Sequence, residues 1–231
     1  MSKKQDTIIE LKEVWKTYEM GEQQVHALRG LNLKVKKGEF LAIMGTSGSG
    51  KSTALNHIGA LDIPTKGNIY LDGIDIATLT ESELATIRGK KIGFIFQQFN
   101  LIPTLTAHEN VTLPLVFQDM EKEERDKRAD DLLNMVGLEE RKHHRPNELS
   151  GGQQQRVAIA RALATQPEVI LADEPTGNLD TKTGDTVMDF LKKLHKEEKR
   201  TIIMVTHDEE TAQHADRVEY LRDGQIQEKK R

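Results

Sequence analysis

The chain has 231 residues, a formal net charge of −4 and no cysteine. The missing cysteine excludes disulfides, thiolate nucleophiles and cysteine-ligated metals, and the slight acidity gives bulk nucleic-acid binding no electrostatic support. The longest apolar runs, such as FLAIM at 40–44, are strand-sized, far short of the roughly 20 residues a membrane-spanning helix needs. MSKKQDTIIEL at the start lacks an apolar stretch of secretory length. The expectation is a cytosolic chain that reaches a membrane only through a partner.

In chain order, IIELKEVWKTY and VHALRGLNLKV alternate apolar and polar residues on either side of EMGEQQ, which predicts antiparallel strands with one buried face. FLAIMG at 40–45 is continuously apolar, as a strand buried on both faces should be, and a helix is expected from Ser52. Further buried strands are predicted at 92–96 (IGFIF), 169–173 (VILAD) and 201–206 (TIIMVT), with helices around 181–197 and 208–214. That alternation reads as an α/β core with a mainly parallel sheet. The segment from about 99 to 165 differs in kind. It carries two capping-box patterns, Thr106-x-x-Glu109 and Ser150-x-x-Gln153, and a charged amphipathic run from Glu121 to Val136 that stops at Gly137. It reads as a helical subdomain set into the α/β core. In the tail, VEYLRDGQIQE predicts two short strands turning at Asp223-Gly224.

Gly45-Thr46-Ser47-Gly48-Ser49-Gly50-Lys51-Ser52 fits G-x-x-x-x-G-K-[ST] and sits after a buried strand at the opening of a helix. The glycines let the backbone curl so that several N–H groups point at one phosphate chain. Lys51 can reach the outer phosphates, and the Ser52 hydroxyl is a candidate Mg²⁺ ligand. This is a nucleoside triphosphate site. Hydrolysis there needs an anchored Mg²⁺ and a directed water. VILADEP offers Asp173 at the carboxyl end of a strand for the metal and Glu174 as general base, although paired acids in that place also serve as turns or helix caps. Gln97, after the strand at 92–96, is either a ligand of the metal or of the attacking water, or a surface amide. His207, after TIIMVT, is either a γ-phosphate contact or part of a Thr206-x-x-Glu209 capping box. Tyr18, ending the first strand, either stacks on a base or belongs to the core.

Together these residues have the order and spacing of an ATP-binding cassette ATPase subunit. GTSGSGKST resembles its Walker A loop, Gln97 its Q-loop, LSGGQ at 149–153 its signature motif, ILADE its Walker B strand, NLD at 178–180 its D-loop and His207 its switch histidine. FQQFNLIPTLTAHENVTLPL and HRPNELSGGQQQRVAIARALA look like the lipoprotein-releasing and macrolide-exporting group. The resemblance covers essentially the whole chain. It implies a phosphate-loop NTPase of RecA-like core over 1–97 and 166–231, with an N-terminal antiparallel β subdomain and an inserted helical subdomain over 98–165.

The resemblance further implies ATP and Mg²⁺ as cofactors. Tyr18 would stack on adenine; Gly45, Thr46, Ser47, Gly48, Ser49, Gly50, Lys51, Ser52 and Thr53 would hold the phosphates; Ser52, Gln97 and Asp173 would form the metal environment. Glu174 would polarise the attacking water and His207 would hold the γ-phosphate. Cassettes of this kind work as head-to-tail dimers, so Ser150, Gly151, Gly152 and Gln153 of one copy would face the ATP of the other, with Asp180 communicating across the interface. Ser150-x-x-Gln153 also satisfies a capping box. The two central glycines, costing roughly 1 kcal/mol each in helix propensity, point to a ligand approaching the backbone, and both readings can hold at once. The implied partners are a second copy and an integral membrane permease, engaged near Phe99 to Leu105 and Glu109-Asn110. The implied place is the cytoplasmic face of the membrane, without insertion and without nucleic acid. The implied activity is ATP hydrolysis driving export or lipoprotein release; the alternative is an ATP-gated, non-transport module resembling the cell-division cassette.

Overall fold

The computed structural model describes residues 7–21 and 23–227. In chain order the elements are β1 (Thr7–Met20), β2 (Gln23–Lys36), β3 (Phe40–Met44), α1 (Lys51–Ile58), β4 (Lys66–Leu71), β5 (Ile74–Asp75), α2 (Glu81–Lys91) and β6 (Ile92–Ile95). There follow α3 (Ala107–Val116), α4 (Lys122–Met135), α5 (Gly151–Leu163), β7 (Val169–Asp173) and α6 (Thr181–Glu198). The chain finishes with β8 (Thr201–Thr206), α7 (Glu209–Ala212), β9 (Arg217–Arg222) and β10 (Gln225–Gln227). The fold is α/β, with parallel and antiparallel pairings both present. The chain divides into two compact units, Met1–Thr86 with Leu194–Arg231, and Ile87–Lys193.

In the first unit, β2-β1-β4-β5 form an antiparallel sheet. The alternation expected for a one-faced strand is clearest at the end of β2, where Leu31, Leu33 and Val35 are buried and their neighbours are not. β1 and β2 run closer to each other in sequence than EMGEQQ suggests, because Glu19 and Met20 still pair with Gln24 and Gln23. The same unit carries β3 between β8 and β9, all parallel, with β10 returning antiparallel to β9. Every residue of β3 and of β8 is buried, which accounts for the apolar run FLAIM in β3 and IIMV between the two threonines of β8. Asp223 and Gly224, at φ 50 and 78, make the predicted tight turn between β9 and β10.

In the second unit β6 and β7 pair in parallel, with Ile95 opposite Ala172. α3, α4 and α5 pack on one another, and Val111 and Leu115, Ala129, Leu132 and Leu133, and Val157 and Leu163 are among their buried apolar residues. Thr106 and Glu109 form the predicted capping box at the start of α3: Thr106 Oγ1 accepts the Glu109 amide at 3.2 Å and Glu109 Oε2 accepts the Thr106 amide at 2.7 Å. Asn110 is fully buried. Its side chain binds the Ile102 amide and the carbonyls of Ile102, Leu105 and Thr106, so it is an internal strut of that loop and offers no surface to a partner. Among the described residues, no helix is long and apolar enough to cross a membrane.

Candidate active site

In the first unit, the chain leaves β3 at Met44 and turns through residues 45–50 before α1 opens at Lys51. The Ser49 amide donates to the Thr46 carbonyl at 3.2 Å, and the Gly224 amide of the β9–β10 turn donates to the Ser49 carbonyl at 3.0 Å. Gly50 enters the helix at φ 101, where L residues are strained, and a Cβ there would stand 2.5 Å from the Ala27 carbonyl oxygen. A glycine N-cap gives the first N–H groups of α1 no side-chain acceptor. The positive end of the helix is therefore presented by backbone alone, which is the arrangement that receives a phosphate.

Lys51 is 7% exposed and lies across the loop, its Nζ donating to the Gly45 and Thr46 carbonyls at 2.7 and 2.9 Å. Ser49 Oγ is buried and makes no hydrogen bond. Thr46, Ser47, Gly48 and Ser52 are exposed, and Thr53 is half-buried. Because Met44 pairs with Thr206 in parallel, Gly45 and His207 leave adjacent strand ends. His207 is exposed. The Thr206-x-x-Glu209 capping box does not form: Asp208 caps α7 instead, accepting the Thr211 amide at 2.8 Å, while Thr206 Oγ1 accepts the Asp208 amide at 3.0 Å. Tyr18 is exposed and lies within β1, two residues before the strand ends. Burial, then the charge of Asp62, pushes its hydroxyl above the usual phenol value, which keeps it a donor.

In the second unit, Gln97 follows β6 while Asp173 and Glu174 follow Ala172 on β7, so the three leave neighbouring parallel strand ends. Glu174 has φ 43, a left-handed conformation that non-glycine residues adopt at a cost of about 1 kcal/mol or more. Around Gly177 the packing is tight: a Cβ there would stand 2.9 Å from Gln97 Nε2 and 3.4 Å from Glu174 Oε2. Asn178 Nδ2 donates to the Gln97 carbonyl at 2.8 Å. Ser150 caps α5 in a complete capping box, its Oγ accepting the Gln153 amide at 3.3 Å and its amide donating to Gln153 Oε1 at 2.9 Å. Gly151 and Gly152 form the first turn behind it. Asp180 accepts the Thr183 hydroxyl and amide at 2.7 and 3.1 Å, and these bonds hold its carboxyl below the usual carboxylate range.

Three side chains, two of them outside every motif, connect these pieces. Gln155 on α5 is fully buried and donates to the Pro175 carbonyl at 2.6 Å, next to Glu174. Arg161, two turns further along α5, donates to the Phe99 and Asn100 carbonyls, just after Gln97. With Asn178 they fasten both the Glu174 turn and the Gln97 turn, and two of the three do so from the helix that Ser150 opens. Only the placing of Gln155 and Arg161 in a largely apolar helical stretch, QRVAIARAL, hints at them in the sequence.

The family model described as ABC transporter matches residues 28–177, more than half of the chain. The chain is 58% identical over 224 residues to the uncharacterized ABC transporter ATP-binding protein MJ0796 of Methanocaldococcus jannaschii, covering 95% of each. It is 51% identical over 219 residues to the macrolide export ATP-binding/permease protein MacB of Brucella melitensis; that match takes in 95% of this chain but 34% of MacB. Among solved structures it is similar to the dimeric post-hydrolysis state of the MJ0796 cassette bound to ADP and Pi, with a TM-score of 0.90 and 56% identity over 95% of this chain and 97% of that one. A phosphate loop built on the bare N-terminus of α1, an acid pair at the end of β7 and these matches agree: the chain belongs to the ABC transporter family and is an ATPase domain of the ATP-binding cassette kind.

Proposed function

We infer that this protein is the ATP-hydrolysing subunit of a membrane export or lipoprotein-release complex, working on the cytoplasmic face as a homodimer with two ATP molecules at the interface. The single observation that carries the nucleotide assignment is the start of α1, where an uncapped helix end, a buried lysine across the loop and a glycine that tolerates no Cβ occur together. Residues 45–53 bind the triphosphate, Lys51 by transferring its Nζ from the loop carbonyls to phosphate oxygens. Tyr18 takes the base. On the family resemblance, Ser52 of the first unit and Asp173 and Gln97 of the second would offer Mg²⁺ a hydroxyl, a carboxylate and an amide oxygen, the oxygen donors that this ion favours. When bound there, Mg²⁺ supplies charge neutralisation at the β- and γ-phosphates.

In the hydrolytic step Glu174 accepts a proton from the attacking water as the bond to the γ-phosphorus forms, and the bond to the leaving ADP oxygen breaks. His207 holds the γ-phosphate from the adjacent strand end. Ser150 to Gln153 open α5 with N–H groups suited to an anion, and in the dimer they face the ATP of the other copy, with Asp180 at the same interface. Support for the dimer comes from the solved MJ0796 cassette, which is dimeric and holds ADP and Pi. Support for an export partner comes from the MacB relatives, whose name joins an ATP-binding part to a permease.

The test is Glu174→Gln. The variant should bind ATP as well as the parent, lose hydrolysis by about a hundredfold or more, and run as an ATP-dependent dimer in size exclusion. A variant that stays monomeric and turns over normally overturns the assignment. Co-purification of a permease with an extracytoplasmic domain supports the export reading, and recovery of a partner bound to a cell-wall hydrolase overturns it.

A further inference from the structure

Lys16 and Tyr18 are two residues apart on β1, so both side chains leave the same face of the strand. Lys16 Nζ donates to Asp62 Oδ1 at 2.7 Å and to the Ile63 carbonyl at 3.1 Å, and it lies over the Tyr18 ring, 5.2 Å from the centroid. The Tyr18 hydroxyl donates to the other oxygen of the same carboxylate, Asp62 Oδ2, at 3.3 Å. One aspartate thus holds both the ring and the cation that covers it.

Asp62 is itself fixed. Its Oδ1 accepts the Ile63 amide at 2.8 Å, and the loop carrying it is fastened to α1 by His57. That ring is fully buried, with Nδ1 2.8 Å from the Thr53 carbonyl and Nε2 3.2 Å from the Ile63 carbonyl. β1 is joined to the same loop twice more, where the Thr65 amide donates to the Trp15 carbonyl at 2.8 Å and the Thr17 amide to Thr65 Oγ1 at 3.1 Å. A continuous chain of contacts therefore runs from the Tyr18 ring through Asp62, Ile63 and His57 to Thr53 in the first turn of α1.

An exposed tyrosine at the end of a hairpin samples several rotamers, and stacking a base on it must first select one. Here the hydroxyl is anchored and one face lies under an ammonium, a cation–π arrangement. We propose that Asp62 and Lys16 are positioning residues: they set the Tyr18 ring at a fixed distance and tilt from α1, so that the nucleotide base is received on the face that Lys16 leaves open. The proposal rests on the reading above that Tyr18 takes the base. It assigns neither residue any contact with the phosphates.

That division gives the experiment. Dissociation constants of ATP and of inorganic tripolyphosphate, which has the phosphates but no base, are measured for the full chain and for Lys16→Met, Asp62→Ala, Tyr18→Phe and Tyr18→Ala. Fluorescence of Trp15, the chain's one tryptophan, is the readout. Lys16→Met, Asp62→Ala and Tyr18→Phe should each weaken ATP about three- to tenfold, the cost of ordering one freed side chain, and leave tripolyphosphate unchanged. In turnover the same variants should raise KM with kcat retained. Combined with Tyr18→Ala, Asp62→Ala should add no further loss for ATP. Equal weakening of both ligands by Lys16→Met and Asp62→Ala overturns the proposal, because it means they act through α1. Unchanged ATP affinity in those two, with Tyr18→Ala still weakening it, overturns the proposal while sparing the base-stacking reading. Unchanged ATP affinity in Tyr18→Ala removes both. If Asp62→Ala does not fold, Lys16→Met and Tyr18→Phe decide the matter, since both leave the Asp62–Ile63 turn in place.

Discussion

A Cβ on Gly152 would stand 2.3 Å from the Thr183 Cγ2, and Thr183 has little room to yield because Asp180 binds both its hydroxyl and its amide. The glycine of the signature turn and the aspartate that caps α6 are therefore in contact through one threonine methyl. Gly152→Ala should gain roughly 1 kcal/mol in helix propensity and lose more to overpacking, about 1–3 kcal/mol. The expected net effect is a loss near 1 kcal/mol in urea unfolding. Thr183→Ser removes the methyl and keeps the hydroxyl, so Gly152→Ala with Thr183→Ser should recover most of it. A Gly152→Ala variant as stable as the parent would mean that Thr183 rotates freely and the contact is soft.

Ser150 carries a structural and an assembly role that substitution can separate. Its Oγ accepts the Gln153 amide, so Ser150→Ala should cost about 1 kcal/mol and lower Tm by about 2–4 °C for a domain of this size. ATP binding by the monomer should be unchanged, because residues 45–53 bind the nucleotide within one chain. Ser150→Trp, placed in the Glu174→Gln background, should bind ATP yet remain monomeric in light scattering. Collapse of monomer ATP affinity in Ser150→Trp would assign the turn to the site of its own chain and remove the sandwich reading.

What could be read from the sequence was whatever depended on neighbours in the chain. Asp223-Gly224 announces its turn because both residues take positive φ, and Ser150 with Gln153 announces its cap because their spacing is fixed by one helical turn. The same Asp-Gly signal at Asp72 and Gly73, φ 51 and 81, joins β4 to β5 and passes unread, because β5 is two residues long and shows no alternation. Thr206-x-x-Glu209 looks like a cap and is not one, since Asp208 lies two residues closer to α7 and takes the exposed amide. The struts around the site stayed invisible for a different reason. Gln155 meets a carbonyl 20 residues away and Arg161 meets carbonyls 61 and 62 residues away, and no local pattern encodes such pairs.

Arg161 is the strut whose removal should be felt most. Phe99 and Asn100 sit at φ 59 and 48, left-handed conformations that a bulky residue such as phenylalanine enters at a cost of about 1–3 kcal/mol. The guanidinium on their carbonyls offsets that strain with charge-assisted bonds. Arg161→Met should destabilise the protein by about 1.5–3 kcal/mol and speed amide hydrogen exchange across residues 97–100 ahead of the rest of the second unit. With Gln97 at the edge of the loosened turn, kcat should fall while ATP affinity at residues 45–53 holds. Arg161→Lys, which supplies one cation without the planar fork, should recover part of the stability. Unaltered exchange at 97–100 in Arg161→Met would show that the turn holds its shape without the clamp.

His57 makes the protein's stability depend on pH in a definable direction. Burial pushes its imidazole below the usual value of about 6.5, against smaller opposing pulls from the Thr53 carbonyl and the Asp62 charge. The folded chain thus keeps the ring neutral at pH values where the unfolded chain protonates it. Its contribution to stability is complete above about pH 6.5 and is lost as pH falls from there toward the lowered folded value. His57→Gln should cost stability at pH 7.5, because a ring placed between two carbonyls is lost, yet it should flatten the fall of Tm between about pH 6.5 and 5. The histidine ring protons followed by NMR give the direct check, with His57 titrating below an ordinary histidine. If His57→Gln keeps the parent's slope in that window, the acid sensitivity belongs to other groups and the buried ring is only a spacer.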